Sequence, residues 1–196
     1  MTKANNYHHG NLKNDLLEAA LIILDEEGVD AVGIRQIARK VGVAHSAPAN
    51  HFKNKQSLLT ALGEEIFQRL LQAIESDLKQ GDDLSESIHK FCKSVLDFAL
   101  RYPNRYRLMW RKESLDSQNP QLQASMERVY QKLIVLLGES SRLKNIDVES
   151  QAIALWSLIH GYASLRLDGN LSQGRDKLTG KDRLDAIIAV LLEGLY

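Results

Sequence analysis

The sequence predicts an all-α protein in which a small three-helix head precedes a larger helical bundle. Apolar residues recur at helical spacing through most of the chain, and no segment sustains the two-residue alternation of a strand. Only three residues are proline, and two of them, Pro103 and Pro120, fall between apolar-periodic segments. The hydrophobic fraction is 44%, which suits a helical globular protein with a real core. We expect about nine helices and no sheet.

Composition narrows the class of protein. The chain has 25 basic and 25 acidic residues, so its overall charge says nothing about nucleic acid. Cys92 is the only cysteine, which excludes an intramolecular disulfide and fits a reducing compartment. The N-terminal segment lacks the apolar core of a signal peptide, and no apolar run approaches the ~20 residues that span a bilayer. We therefore expect a cytoplasmic protein without a membrane segment.

The first predicted helix runs from about Asn11 to Glu27 and ends at Gly28. Apolar residues at helical spacing form its buried stripe, and acidic residues occupy the opposite face. The stripe consists of Leu12, Leu16, Ala19, Ala20, Ile23 and Leu24. This helix packs as the first of the three in the head.

Residues 33–55 predict a helix-turn-helix unit. Ile34, Ile37 and Val41 share one apolar edge of a short helix, and Gly42 suits the left-handed backbone of the turn that follows. A second short helix is expected over Ser46–Phe52, with Phe52 in the core. In such a unit the second helix enters the major groove of DNA.

The charge of the same segment supports this interpretation. Residues 31–60 contain five basic residues and no Asp or Glu, although the whole chain is neutral; the basic residues are Arg35, Arg39, Lys40, Lys53 and Lys55. Phosphate contact requires a basic surface of this kind. A solvated basic hairpin with no DNA partner is the alternative.

The remaining pattern is helical. A long helix over Ser57–Leu78 links the head to the second part of the chain, and the segment Gly169–Gly180 is expected to be an exposed loop. Further helices are predicted over Leu84–Tyr102, Asn104–Lys112, Gln121–Ser140, Asp147–Asp168 and Lys181–Leu195.

The head resembles the TetR family of transcriptional regulators over about residues 7–65. The matching pieces are Glu26-Glu27-Gly28, Ile34–Ala38, Val41-Gly42-Val43 and His51–Lys55. Trp156–Gly161 also looks like the Trp…His-Gly signature of one TetR ligand-domain subgroup. The resemblance implies a DNA-binding domain over residues 1–60 and a ligand-binding and dimerisation domain over residues 61–196. It also implies a homodimer on a palindromic operator.

The matched motif supplies candidate DNA contacts. Arg35 has the geometry to read guanine and Asn50 the geometry to read adenine, whereas Ala47 would meet only a thymine methyl. Lys53 and Lys55 resemble the family's phosphate contacts at the start of the long helix. The full set is Arg35, Gln36, Lys40, His45, Ser46, Ala47, Asn50, His51, Lys53 and Lys55, with Tyr7 and His8 as an N-terminal arm.

Three residues depart from the family pattern. Gly33 stands where a Ser or Thr usually caps the second helix, and Ala49 stands where a Tyr usually touches phosphate. Pro48 fixes the backbone early in the recognition helix. We expect DNA binding with fewer phosphate anchors than is usual in the family.

Two apolar stripes near the C-terminus predict a dimer interface through the last two helices. One consists of Ile188, Ala189, Leu191, Leu192 and Leu195, and the other of Ala154, Leu158, Gly161 and Leu165. Gly161 would allow a close helix crossing. Packing inside one chain is the alternative for each of these residues.

The resemblance also implies an effector pocket in the second domain, bound by an unknown small molecule. Candidate lining residues are Phe91, Val95, Phe98, Leu108, Met109, Trp110, Trp156 and His160. Plain core packing is the more common role of such residues, and His160 could instead hydrogen-bond across the bundle or the dimer seam. Cys92 is expected to be a small buried core residue.

These features favour a transcriptional repressor released from its operator by a small molecule. The alternative is an architectural or activator protein that binds DNA without an effector. An enzyme is disfavoured, because the sequence shows no paired catalytic acids, nucleophile elbow or phosphate loop. We likewise predict no metal site and no cofactor.

Overall fold

The computed structural model describes residues 12–138 and 146–193. Eight α-helices lie within them: α1 (Leu12–Glu27), α2 (Ile34–Val41), α3 (Lys55–Asp77), α4 (Leu84–Arg101), α5 (Pro103–Met109), α6 (Pro120–Gly138), α7 (Val148–Leu167) and α8 (Arg183–Glu193). Short 3₁₀ helices span Val29–Ala31, Ala47–Asn50 and Lys112–Ser114. The described residues contain no strand, and their isolated β-bridge joins Arg175 to Asp182. The all-α prediction is confirmed.

The chain divides into two compact units. The first combines Met1–Ile66 with Asn104–Leu122, and the second combines Phe67–Pro103 with Gln123–Tyr196. Helix α3 contributes residues to both units. A segment that begins at residue 104 therefore belongs with the head. The domain limits at residues 60 and 61 stay a prediction.

Helix α1 forms the core of the first unit together with α2. Five of the six residues of its predicted stripe are buried, namely Leu16, Ala19, Ala20, Ile23 and Leu24, while Leu12 is half-buried. Ile37 and Ala38 of α2 and Phe52 after the turn are also buried. The apolar edge predicted for α2 therefore faces the core through Ile37.

Gly63 lets the segment after α5 lie close against α3. A methyl group on Gly63 would stand 3.3 Å from Leu122 Cδ1 and 3.5 Å from Leu115 Cδ2, which is tight contact. The Thr60 hydroxyl accepts a hydrogen bond from the Asp116 amide at 2.9 Å. These contacts fix the segment on α3 within the first unit.

In the second unit α4 packs against α7. The rings of Phe91 and Trp156 lie 6.2 Å apart between centroids, and Val95 and Ile159 are buried one turn further along the same two helices. Asp83 caps α4 through the Glu86 amide at 2.8 Å, and a similar Asp cap starts α7 at residue 147.

No described helix is long and apolar enough to cross a membrane.

Candidate nucleic-acid interface

Helix α2 begins and ends at glycines. Gly33 precedes it in an extended conformation (φ −160°, ψ 160°) and supplies no side-chain cap. Gly42 follows it in the left-handed region (φ 79°, ψ 29°), and its amide donates to Ala38 O at 2.9 Å. This confirms the turn that the sequence predicted. It fixes the direction in which the chain leaves α2 toward the recognition segment.

The recognition segment is shorter than predicted. The sequence predicts a short helix over Ser46–Phe52, and within that range the structure has a 3₁₀ helix over Ala47–Asn50. Pro48 has no amide to donate, and the amides of Ala49 and His51 bond to carbonyls three residues back at 3.1 and 2.9 Å. Pro48 and Phe52 are both buried, so they fasten this turn to the core.

Most candidate base and phosphate contacts are exposed on this unit. Arg35, Gln36, His45, Ser46, Asn50, His51 and Lys53 are exposed, whereas Ala47 is half-buried. Among the residues described, the side chains of Arg35, Asn50 and Lys53 have no hydrogen bond or ion pair. Their donors are available to base edges and phosphates. Tyr7 and His8 lie outside the described residues.

Two of the predicted cations have acceptors within the protein. Lys40 Nζ lies 3.3 Å from Glu26 Oε2, and Lys55 Nζ donates to the backbone oxygen of Asp30 at 3.0 Å. Both acceptors come from the end of α1 and the loop after it, outside the acid-free window of residues 31–60. The positive charge available for phosphate contact is therefore smaller than the five basic residues of that window suggest.

A reciprocal cap starts α3. The Ser57 amide donates to Asn54 Oδ1 at 2.8 Å, and the Asn54 amide donates to Ser57 Oγ at 3.1 Å. The first amides of the helix, those of Lys55 and Gln56, have no partner available inside it and suit a phosphate oxygen. This cap was not predicted, although an Asn with a Ser three residues later is a sequence signal for it.

Residues distant in sequence hold the connection between α1 and α2. The Arg105 guanidinium on α5 donates to both carboxylate oxygens of Asp25, and Asn104 Nδ2 donates to the backbone oxygen of Asp25 at 3.2 Å. Arg111 Nη1 lies 3.6 Å from Asp30 Oδ1. Residues 104–111 therefore stabilise the end of α1 and the loop that leads to Arg35. No local sequence signal identifies these partners.

The candidate effector residues are divided between the two units. Phe91, Val95 and Phe98 on α4 are buried in the second unit. Leu108 and Met109 are buried in the first unit, to which the half-buried Trp110 also belongs. Because these residues belong to different units, an effector pocket lined by all of them stays a prediction.

On α7 two of those candidates, Trp156 and His160, are half-buried and one turn apart. Burial lowers the pKa of His160 and raises the pKa of the fully buried Cys92 thiol to about 12. Cys92 is therefore the inert core residue that the sequence predicted. Among the described residues no group of three or more His, Cys, Asp or Glu is placed to hold a metal ion.

Comparison with known protein families agrees with this geometry. The family model described as "Bacterial regulatory proteins, tetR family" matches residues 16–62, and the model "Tetracyclin repressor-like, C-terminal domain" matches residues 88–191. The chain belongs to the TetR family. TetR-family proteins are DNA-binding transcriptional regulators and act as dimers. The Trp…His-Gly subgroup stays a prediction.

Two curated relatives are similar to this chain at low sequence identity. The chain is 26% identical to the nucleoid occlusion factor SlmA of Pasteurella multocida, over 66% of this chain and 67% of that protein. It is 28% identical to SlmA of Haemophilus influenzae over 55% of this chain, and it spans only 49% of that protein's length. Both proteins are therefore similar to this chain over only part of their length.

Solved structures match over nearly the whole chain. A protein of unknown function from a Rhodococcus species superposes with a TM-score of 0.77 at 26% identity, covering 98% of this chain and 97% of that one. The TetR-family regulator PfmR from Thermus thermophilus gives a TM-score of 0.66 at 19% identity, covering 94% and 97%. The second match supports the TetR fold alone.

Proposed function

We propose that this TetR-family chain is a homodimeric repressor that binds a palindromic operator and leaves it when a small molecule binds the C-terminal bundle. The observation that carries the proposal is the exposed set of Arg35, Asn50 and Lys53 beside the recognition turn, whose side chains have no partner among the described residues. A guanine reader, an adenine reader and a phosphate contact in one small unit suit a half-site in the major groove.

A dimer is supported by α7. Gly161 lies in the interior of this helix, and no described atom outside its neighbourhood in the helix comes within 4 Å of the place where a Cβ would stand. A helix-interior glycine costs about 1 kcal/mol relative to alanine, and the described part of the chain shows no packing reason for it. A close crossing with a second copy supplies that reason. Side chains beyond residue 190 in the predicted interface lie outside the described residues.

Effector release is supported by the aromatic contact in the second unit. Trp156 is half-buried beside Phe91, and His160 follows one turn later with a polar edge. An aromatic wall with one polar group suits a mostly apolar small molecule. Binding there would release the operator if the ligand favours a DNA-incompetent state.

The test is selection of bound fragments from genomic DNA with the full chain, followed by thermal-shift screening of small apolar molecules. We expect a few palindromic sites whose half-sites lie about one or more helical turns apart. We also expect at least one compound class that raises the melting temperature and lowers operator affinity. Binding without sequence preference would contradict the operator proposal.

A second candidate function is favoured by the curated relatives, which are named nucleoid occlusion factors. In that case the chain binds DNA without a small-molecule effector. A factor that acts through the nucleoid as a whole needs many dispersed sites, whereas a specific repressor needs few. The same selection experiment distinguishes them, because dispersed sites and no thermal-shift response would favour the second candidate.

A further inference from the structure

Acidic residues border the helix-turn-helix on its N-terminal side. Residues 31–60 contain no Asp or Glu, but residues 25–30 contain four. Carboxylates beside a DNA-binding surface repel phosphate unless a cation offsets their charge. Three of the four have cationic partners from elsewhere in the first unit: Asp25 pairs with Arg105, Glu26 with Lys40 and Asp30 with Arg111.

Asp30 is the most exposed of these three acids and lies against the start of α3. Its side chain is 92% exposed, whereas those of Asp25 and Glu26 are 30% and 61% exposed. Its backbone oxygen accepts from Lys55 Nζ at 3.0 Å. A phosphate that contacts the Lys55 ammonium would therefore lie on the order of one Debye length, about 8–10 Å, from the Asp30 carboxylate. Salt screens the repulsion at this distance only in part.

Arg111 reaches Asp30 from the segment after α5. Its Nη1 lies 3.6 Å from Asp30 Oδ1, which is an ion pair rather than a hydrogen bond. Its Nε donates to Glu113 Oε1 at 3.0 Å. A guanidinium presents its N–H donors on more than one edge, so it contacts Glu113 through Nε while Nη1 faces Asp30. Glu113 therefore holds the Arg111 head group in an orientation that places positive charge beside Asp30.

The charge of the Arg111–Asp30 pair matters more on DNA than in the free protein. An exposed ion pair adds little to folding stability, because water solvates both groups. At the surface of a polyanion, by contrast, one unit of protein charge changes the slope of log K against log salt by about 0.9. Between about 1 M and about 0.15 M salt this slope corresponds to roughly fivefold in affinity.

We propose that Arg111 supports DNA binding by neutralising Asp30 at the edge of the DNA-binding surface, without touching DNA itself. The proposal rests on the DNA binding of the proposed function. It adds a residue that lies outside the N-terminal family match, which ends at residue 62. Because the neutralised charge carries no base information, Arg111 affects operator and random DNA alike. Arg35, in contrast, is expected to act mainly on the operator.

Binding of a random-sequence duplex to the full chain at several salt concentrations tests this role. Arg111→Gln should weaken binding roughly threefold to tenfold and flatten the salt slope by about one unit. Adding Asp30→Asn to that variant should restore both, because the unpaired carboxylate is gone. Arg111→Lys keeps the positive charge and should bind nearly as well as the wild type.

Two controls separate this role from net charge. Adding Glu113→Gln to Arg111→Gln gives the same net charge as adding Asp30→Asn, but it should restore less, because Asp30 is the acid that contacts Lys55. Arg175→Gln breaks a similar exposed pair with Asp182, at 3.8 Å in the second unit, and should leave the salt slope unchanged.

The outcomes distinguish this inference from the proposed function. Wild-type affinity and slope in Arg111→Gln would overturn the role of Arg111. A loss that Asp30→Asn does not restore would also overturn it, since Arg111 would then contact phosphate itself or maintain the local structure. Equal restoration by Glu113→Gln would overturn the assignment to Asp30. All three results leave the proposed function intact, whereas a wild-type chain that binds no DNA would overturn both.

Discussion

Arg105 holds Asp25 from eighty residues away in the sequence, with Nε–Oδ1 and Nη2–Oδ2 distances of 2.8 and 2.6 Å. The Arg105 side chain is 10% exposed and that of Asp25 is 30% exposed. Arg105→Ala should lower the free energy of unfolding by about 2–3 kcal/mol. This is less than for a fully buried pair, because part of the carboxylate stays hydrated. Denaturant titration of the full chain measures it.

A double-mutant cycle separates the ion pair from packing. If the pair carries the effect, Asp25→Ala and Arg105→Ala will not be additive, with a coupling energy above about 1 kcal/mol. Arg128→Ala on the exposed face of α6 is the matched control and should change little. Additive losses would show that the Arg105 stem, not its charge, stabilises the first unit.

Arg35 is expected to read a base. Arg35→Ala should weaken operator binding by about 1–3 kcal/mol, roughly fivefold to 150-fold, while binding to random DNA changes less. Fluorescence anisotropy with both DNA molecules at several salt concentrations measures this. Lys53→Ala is the contrasting variant, and it should weaken both equally and flatten the salt slope by about one unit. Equal losses on both DNA molecules in Arg35→Ala would reassign it to phosphate contact.

Gly33→Ser should strengthen DNA binding. The extended backbone at Gly33 accepts any residue, and a serine hydroxyl there supplies a helix cap and a donor to phosphate. The Gln36 Oε1 atom would lie 2.6 Å from the new Cβ, so this exposed side chain must rotate away. We expect an affinity gain of roughly twofold to tenfold. Gly33→Ala introduces the same crowding without the hydroxyl, and an equal gain in that control would contradict the explanation.

Gly161→Ala distinguishes a dimer crossing from an open helix face. In an isolated chain the added methyl meets no described atom and should stabilise α7 by about 1 kcal/mol. At a close crossing it should instead weaken the dimer, which analytical ultracentrifugation measures. Gly138→Ala at the end of α6, where space is also open, is the control. A tighter or unchanged dimer in Gly161→Ala would place the crossing elsewhere.

The lowered pKa of His160 predicts that the protein loses stability in mild acid. Burial lowers its pKa below the ordinary value of 6.5, so the unfolded chain binds a proton more readily than the folded one. Stability should therefore fall as the pH drops below 6.5, down to the lowered pKa of the folded state. His160→Gln should reduce this slope in melting experiments between about pH 7.5 and 5.5. An unchanged slope in His160→Gln would contradict the prediction.

Local signals made much of the fold predictable. Helix limits mostly agree with the sequence pattern within about two residues, because caps such as Asp83, Asp147 and Gly42 act on their immediate neighbours. The recognition helix is shorter than predicted and is a 3₁₀ helix, to which Pro48 supplies no amide. The acceptor of Lys40 and the partner of Arg105 were not predictable, because both pairings join distant segments whose proximity depends on the tertiary fold.

The membership of Asn104–Leu122 in the first unit has a consequence for building chimeras with other TetR proteins. A junction placed on α3 just after Gly63 would pair one protein's Asp25, Thr60 and Gly63 with another protein's replacements for Arg105, Asp116 and Leu122. Such a hybrid would carry mismatched contacts within its own DNA-reading part. Transplanting operator specificity therefore requires moving two separate stretches of sequence together.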